Sequence, residues 1–210
     1  MRVIILTNGE YGDYSFCKYI GDYDYVICAD NGMRHANKIG VTPNLLVGDF
    51  DSASKKELND FENRGIKVMK FPPEKDMTDT EIAVEQAIKM GAMRIDIYGG
   101  IGSRLDHTLG NVHLLYALLK RGIKGRLLNP NNEVNITDSS ISIDGKAGEL
   151  ISLIPFFGDA EGVSTVGLAY SLDYGVLKMG KALGVSNYML GENAKVSIQK
   201  GVLLVIKAED

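Results

Sequence analysis

The sequence has little cysteine, no excess of basic charge and no long apolar run. Its two cysteines, Cys17 and Cys28, stand eleven positions apart, which fits neither a metal-ligand spacing nor a disulfide framework, so both are expected to be reduced in a cytoplasmic protein. Acidic residues outnumber basic ones, 27 to 23, giving a net charge of -4 and a sequence pI near 5.5. Nucleic acid is therefore a poor candidate partner. No apolar stretch approaches the ~20 residues of a membrane span. The opening MRVIILTNGE has an apolar core too short for a signal peptide, so the protein is expected to stay where it is made, away from membranes.

What is present is an ordinary globular composition, 45% hydrophobic and 24% charged over 210 residues, enough to bury a core without disulfide or metal staples. Up to residue 128, short β-rich runs alternate with amphipathic segments, the pattern of a mostly parallel sheet flanked by helices. Strands are expected at RVIILT, YVICAD, NLLVGD, IKVMKF, MRIDIYGG and GRLLN. Helices are expected over 14–20, 32–39, 54–64, 79–90 and 107–120, with Gly40, Gly65, Gly91 and Gly122 closing several of them. After the polar cluster NPNNE the texture changes to short alternating runs, EVNIT, SISI, ELISLIPF, AKVSIQ and GVLLVIK, with no helical period. The expected fold is thus an α/β domain over 1–128 and a smaller all-β sandwich over 129–210.

The acids fall in a pattern. Strand two ends in CADNG with Asp30, and strand three in VGDFDS with Asp49 and Asp51. Strand four runs into PPEKDMTDTE with Asp76 and Asp79, and strand five into YGGIGSRLDHTLGN with Asp106. Ligands of open α/β sheets bind beyond the carboxyl ends of the strands, so these loops should share one rim. Like charges ~4 Å apart repel by roughly 4 kcal/mol at an effective dielectric near 20, so such a cluster needs a positive partner. Oxygen donors without cysteine or paired histidine select Mg²⁺ or Mn²⁺, and Mg²⁺ commonly brings phosphates with it. Taken singly, each acid has a plainer reading as a turn or cap residue; Ser54 with Glu57, for instance, reads as a capping box.

The loop GGIGSR adds Gly99, Gly100 and Gly102, where backbone could approach a ligand or make a tight strand-to-helix turn, and Arg104, a forked donor for phosphate oxygens. It is neither a Walker A sequence nor a dinucleotide fingerprint. His107 and Asn111 share a helical face near Asp106. His35 and His113 are read as packing or surface residues.

CADNG, VGDFDS, KDMTDTE and GGIGSRLDH followed by Asn111, in this order, resemble the thiamine pyrophosphokinase family, and the resemblance covers nearly the whole chain. It implies transfer of diphosphate from ATP to the hydroxyethyl group of thiamine, giving thiamine diphosphate and AMP with Mg²⁺ required. Asp49, Asp51 and Asp79 would hold the metal with Asp76 nearby, and Asp30, Asn31, Arg104, Asp106 and His107 would serve ATP. An aspartate near the hydroxyl could accept its proton, with Asp76 and Asp79 both open for that role. The resemblance also implies a homodimer in which the β domain of one subunit completes the thiamine site of the other, with Tyr170 as stacking ring and Ser186 and Asn187 as polar contacts. Tyr170 stands where the family usually has tryptophan, Tyr188 where bacterial members commonly have an acid, and Ser103 where a glycine is frequent.

Two other functions fit the residues alone. One is a Mg²⁺-dependent phosphotransferase or phosphohydrolase acting on another small alcohol; the other is a non-catalytic module that binds a nucleotide or thiamine compound.

Overall fold

The structure, a computed structural model, describes residues 1–51 and 53–209, with every side chain among them except those of Lys18 and Tyr19. It divides into two compact units, Met1–Pro130 and the part from Asn131 onward. No helix among the described residues is long and apolar enough to cross a membrane.

The first unit is built on β1 (Arg2–Leu6), β2 (Tyr25–Ala29), β3 (Leu45–Gly48), β4 (Lys67–Lys70), β5 (Arg94–Tyr98) and β6 (Lys124–Asn129). They pair in parallel in the order β6-β5-β1-β2-β3-β4. The chain therefore leaves at the β4 edge and returns on the far side of β1 as β5, creating a switch point beside β1. Both faces are apolar, as a parallel sheet requires. Ile4, Leu6, Val26, Cys28 and Leu46 pack with Met33 and Ala36 of α1 (Met33–Ile39) and with Leu58 and Phe61 of α2 (Lys55–Asn63). The alternate residues Val3, Ile5, Ile27 and Val47 are also buried. Two longer helices, α3 (Asp79–Lys89) and α4 (Leu105–Lys120), contact each other; α3 packs on β1, β2 and β3, and α4 on β6.

The expected helix boundaries hold where capping chemistry is strong. Ser54 accepts the Glu57 amide and starts α2, Thr78 accepts the Glu81 amide and starts α3, and the four expected closing glycines all have φ between 69° and 82°. The segment expected as a helix over 14–20 is instead one 3₁₀ turn, Ser15–Tyr19. Its i→i+3 bonds, Cys17 to Tyr14 and Ile20 to Cys17, follow from a start at Tyr14 in the left-handed region and from aromatic residues that favour packing over helix continuation.

The second unit comprises β7 (Asn132–Thr137), β8 (Ser140–Asp144), β9 (Leu150–Pro155), β10 (Ala160–Val166), β11 (Gly175–Leu177), β12 (Asn187–Tyr188), β13 (Asn193–Ser197) and β14 (Leu203–Ala208). Within it β12-β9-β14-β7 and β11-β10-β13-β8 form two antiparallel layers. Ile151, Leu153, Leu203 and Val205 from the first layer meet Ile143, Val163, Leu177 and Val196 from the second in one core, the arrangement of a small sandwich. Strands β10, β11 and β12 carry no clear alternation in sequence. In β10 the reason is a bulge between Glu161 and Val163, where Gly162 takes φ 67° and shifts the pleat by one residue.

Candidate active site

The paired aspartates at the end of β3 owe their geometry to the residues around them. Gly48 packs against the β2 exit so closely that a Cβ there would lie 3.0 Å from Asp30 Cα and 3.1 Å from Asp30 N, so only glycine lets the two strand ends stand together. Phe50 then turns through φ 60° and buries its ring in the core. Asp49 and Asp51 flank that anchor, and the Asp51 amide donates to Asp49 Oδ1 at 3.1 Å, an Asx turn. That hydrogen bond, with help from Lys75 and against the effect of partial burial, holds the Asp49 carboxyl below its ordinary range. Asp51 is exposed. Ser52, the last residue of the VGDFDS motif, lies outside the described residues.

Asp79 opens α3 and faces the same place. Lys75 Nζ stands 3.1 Å from Asp79 Oδ1 and 3.1 Å from Asp49 Oδ2, and it donates to the Pro72 carbonyl at 3.2 Å. Burial raises the Asp79 carboxyl above its ordinary value, and the nearby negative charges of Asp49 and Asp30 add to the effect, while the Lys75 ammonium opposes it. Burial would lower Lys75, but its contacts with the two carboxylates outweigh this and raise it. Asp30 sits at φ 48° on the 3₁₀ turn Asp30–Gly32, half-buried beside Asn31. Asp76 is exposed.

In the GGIGSR loop, the glycines serve two purposes. A side chain at Gly99 would strike the Tyr11 ring at 2.4 Å, and one at Gly100 would press on Ile97 and Leu127, so these two are fixed by internal packing; only Gly102 faces open space. Asn111 is buried and donates to the Gly100 carbonyl at 2.7 Å, and Thr108 Oγ1 accepts the Gly102 amide at 3.2 Å. The loop is thereby tied to α4. Arg104 and Asp106 form their own exposed pair at 2.6 Å, which lowers the Asp106 carboxyl. Arg104 is the N-cap residue of α4 and provides no side-chain cap, while the Asp106 carboxylate accepts the His107 amide within the first turn. His107 is exposed.

In the second unit, Tyr170 is exposed and meets Tyr188 edge-on with ring centroids 5.9 Å apart. Asn187 is buried, and its amide is turned inward. Oδ1 accepts the Tyr170 and Tyr188 amides, both at 2.9 Å, and Nδ2 donates to the Tyr170 carbonyl at 2.8 Å. Ser186 is exposed at φ 60°, with its amide on Ser152 Oγ at 3.1 Å.

The thiamin pyrophosphokinase family matches the chain twice, its catalytic domain over residues 16–127 and its vitamin B1 binding domain over 138–203. The chain belongs to this family. A thiamine pyrophosphokinase of Bacillus subtilis (strain 168) is 30% identical over 194 residues, 91% of each sequence. Of solved structures, thiamine pyrophosphokinase from Bacillus subtilis aligns with TM-score 0.91 at 28% identity over all of both chains. That from Geobacillus thermodenitrificans aligns with TM-score 0.85 at 27% identity, over 100% of this chain and 98% of its own.

For a chain of the thiamin pyrophosphokinase family, two features of this geometry are unforeseen in the sequence reading. The six rim aspartates divide by contact: Asp30, Asp49 and Asp79 interact, Asp51 joins them through its backbone, Asp106 pairs with Arg104, and Asp76 is exposed to solvent. Among the described residues no three His, Cys, Asp or Glu side chains are gathered as a metal-ligand set. The positive charge the cluster requires comes from Lys75, a residue absent from the sequence-derived set, although the Lys75/Asp79 i,i+4 spacing was visible. The donors still suit a divalent ion: they are hard carboxylate oxygens without thiolate, and Asp49 and Asp79 already converge on one cation.

Proposed function

We propose that this chain transfers a diphosphate group from ATP to the hydroxyethyl oxygen of thiamine, giving thiamine diphosphate and AMP. The hydroxyl oxygen forms the new bond to the β-phosphorus, the bond from that phosphorus to the α,β-bridging oxygen breaks, and the hydroxyl proton leaves. The observation that carries this reading is the convergence of Asp49 and Asp79 on one cation beyond the parallel strands, in a chain that matches the thiamin pyrophosphokinase family along most of its length. Diphosphoryl transfer needs positioning and charge neutralisation rather than a protein nucleophile, and burial pushes both cysteine thiols up, Cys17 to about 12 and the fully enclosed Cys28 well above its ordinary range.

In this reading Asp49, Asp51 and Asp79 hold Mg²⁺, with Asp76 beside them. A divalent ion held by these carboxylates would supply charge neutralisation for the polyphosphate and Lewis-acid polarisation of its phosphorus. Asp30, Asn31, Arg104, Asp106 and His107 form the nucleotide side. Arg104 lies exposed at the N-cap of α4, where its guanidinium can exchange Asp106 for phosphate oxygens. Residues 1–128 then carry ATP and metal, and 129–210 carry thiamine and dimer contacts. Tyr170 offers an exposed ring to the thiazolium cation. Ser186 offers a polar contact, and Asn187 acts through the Tyr170 backbone it grips.

The second unit exposes Val166, Tyr170, Tyr174, Met179, Leu183 and Leu190. A concentration of large apolar side chains on one short stretch supports a homodimer whose second subunit completes the thiamine site. The free, buried cysteines are consistent with a cytoplasmic setting.

The test is to incubate the protein with ATP, Mg²⁺ and thiamine and to separate both product pools by chromatography. AMP with thiamine diphosphate is expected. ADP with thiamine monophosphate would move attack to the γ-phosphorus, and no product would turn attention to another alcohol or to a binding role.

A further inference from the structure

Lys75 is a long side chain whose charge is largely hidden. It is only 13% exposed. Its ammonium donates to Asp49 Oδ2 at the β3 exit and to the Pro72 carbonyl of the intervening loop, and forms an ion pair with Asp79 Oδ1 at the start of α3. An i,i+4 pair on a solvated helix face would bridge one carboxylate and point outward. Lys75 instead fills the gap between two carboxylates from different elements, where like charges would otherwise repel. One ammonium against Asp30, Asp49 and Asp79 leaves the group net negative, so the site can still attract a further cation. That cation would meet two oxygens already claimed.

We propose that Lys75 is a resident counter-ion of the site, holding Asp49 and Asp79 together in the metal-free protein and competing with the divalent ion for their oxygens. Lys75 is thus a positioning residue, and the assignment rests on the reading that these carboxylates bind the metal. It has two consequences. Divalent ions bind weakly to the nucleotide-free protein, because each must displace an ammonium. Removing the charge strengthens metal binding while loosening the metal-free fold around the β3 exit.

The experiment measures Mn²⁺ binding to the nucleotide-free, full-length protein by calorimetry and by the free-ion electron paramagnetic resonance signal, alongside thermal melting with and without Mn²⁺. Wild type is compared with Lys75→Met, Lys75→Gln, Lys75→Arg and Asp49→Asn. Lys75→Gln keeps donors to both carboxylates and serves if the methionine variant fails to fold. Expected are affinities on the order of tenfold tighter for Lys75→Met and Lys75→Gln, wild-type affinity for Lys75→Arg, and a lowered metal-free melting point in the neutral variants that Mn²⁺ restores. Unchanged or weaker Mn²⁺ binding in both neutral variants overturns the proposal and leaves the metal assignment standing. Wild-type Mn²⁺ affinity in Asp49→Asn overturns the metal assignment itself, and this proposal with it.

Discussion

Asn187 grips Tyr170 at both of its backbone polar groups, accepting the amide at 2.9 Å and donating to the carbonyl at 2.8 Å. The exposed ring is therefore carried on backbone fixed by a buried side chain, and ring and clamp can be separated by mutation. Tyr170→Ala should raise the KM for thiamine by about tenfold, the loss of one desolvated cation–π contact of about 1–2 kcal/mol, while the KM for ATP stays put. Asn187→Ala should do the same indirectly and also destabilise the fold by about 1–3 kcal/mol, because it strands two backbone amides in a buried setting. Steady-state kinetics with each substrate varied, together with urea unfolding, separates the two effects. An unchanged thiamine KM in Tyr170→Ala would remove this ring from the site.

Asp49, Asp51 and Asp79 differ in burial, so their replacement should differ in stability but agree in activity. Asp51→Asn and Asp79→Asn are each expected to reduce turnover by at least about 10²-fold, the scale of losing one group that stabilises transition-state charge. The exposed Asp51 should leave the melting temperature unmoved. Asp79→Asn should be neutral or slightly stabilising, since burial already disfavours its ionised form. Wild-type turnover at saturating Mg²⁺ in either variant would remove that residue from the metal set.

The sheet, the sandwich and the positions of the acidic loops were legible because each rests on a local signal: apolar runs ending in Asp, caps at Ser54 and Thr78, and glycines closing helices. What was not legible depended on contacts far apart in sequence. Lys75 gained its role only when the β3 exit met the loop before α3, 26 residues later. Asn187 read as a ligand contact because nothing local shows that its amide turns inward to Tyr170, in the loop 17 residues earlier. Gly99 and Gly100 could be read from sequence either as room for a ligand or as a tight turn, and only the space taken by Tyr11, Ile97 and Leu127 shows internal packing beside them.

Asp96 is a buried acid outside the site, and its surroundings predict a structural role. Wholly shielded from solvent on β5, it pairs with Arg2 at 2.8 Å, Arg94 at 3.2 Å and Arg126 at 2.6 Å. Burial alone would raise its carboxyl, but the arginines, led by Arg126, outweigh this and hold it below the ordinary 3.8. Its contribution to stability is therefore complete above that value and is lost as pH falls through the depressed one. Asp96→Asn leaves the arginines facing each other without their shared partner and should destabilise the protein by about 3–5 kcal/mol. Chemical denaturation at pH 7 measures this, and a cost below about 1 kcal/mol would mean that the arginines find other partners.

His35 predicts a different pH window. Its ring is buried, stacks on Tyr11 at 3.7 Å, and lies within hydrogen-bond distance of the Tyr14 hydroxyl at Nδ1 (2.9 Å) and of the Gly9 carbonyl (3.0 Å) and Arg34 Nε (3.2 Å) at Nε2. This network suits a neutral imidazole, and burial, with Arg34 alongside, lowers its value from 6.5 to about 4. Because the unfolded chain takes up the proton first, this group's contribution is intact above 6.5 and falls away as pH drops from 6.5 to about 4. The full loss is on the order of 3 kcal/mol. His35→Phe keeps the stacking but abolishes the titration, so it should be less stable than wild type at pH 7 by about 1–3 kcal/mol through its lost hydrogen bonds, with the gap narrowing as the pH falls. Urea unfolding across that window tests it: carboxylates shared by both proteins cancel in the difference, so parallel stability curves would show that His35 does not carry the pH dependence.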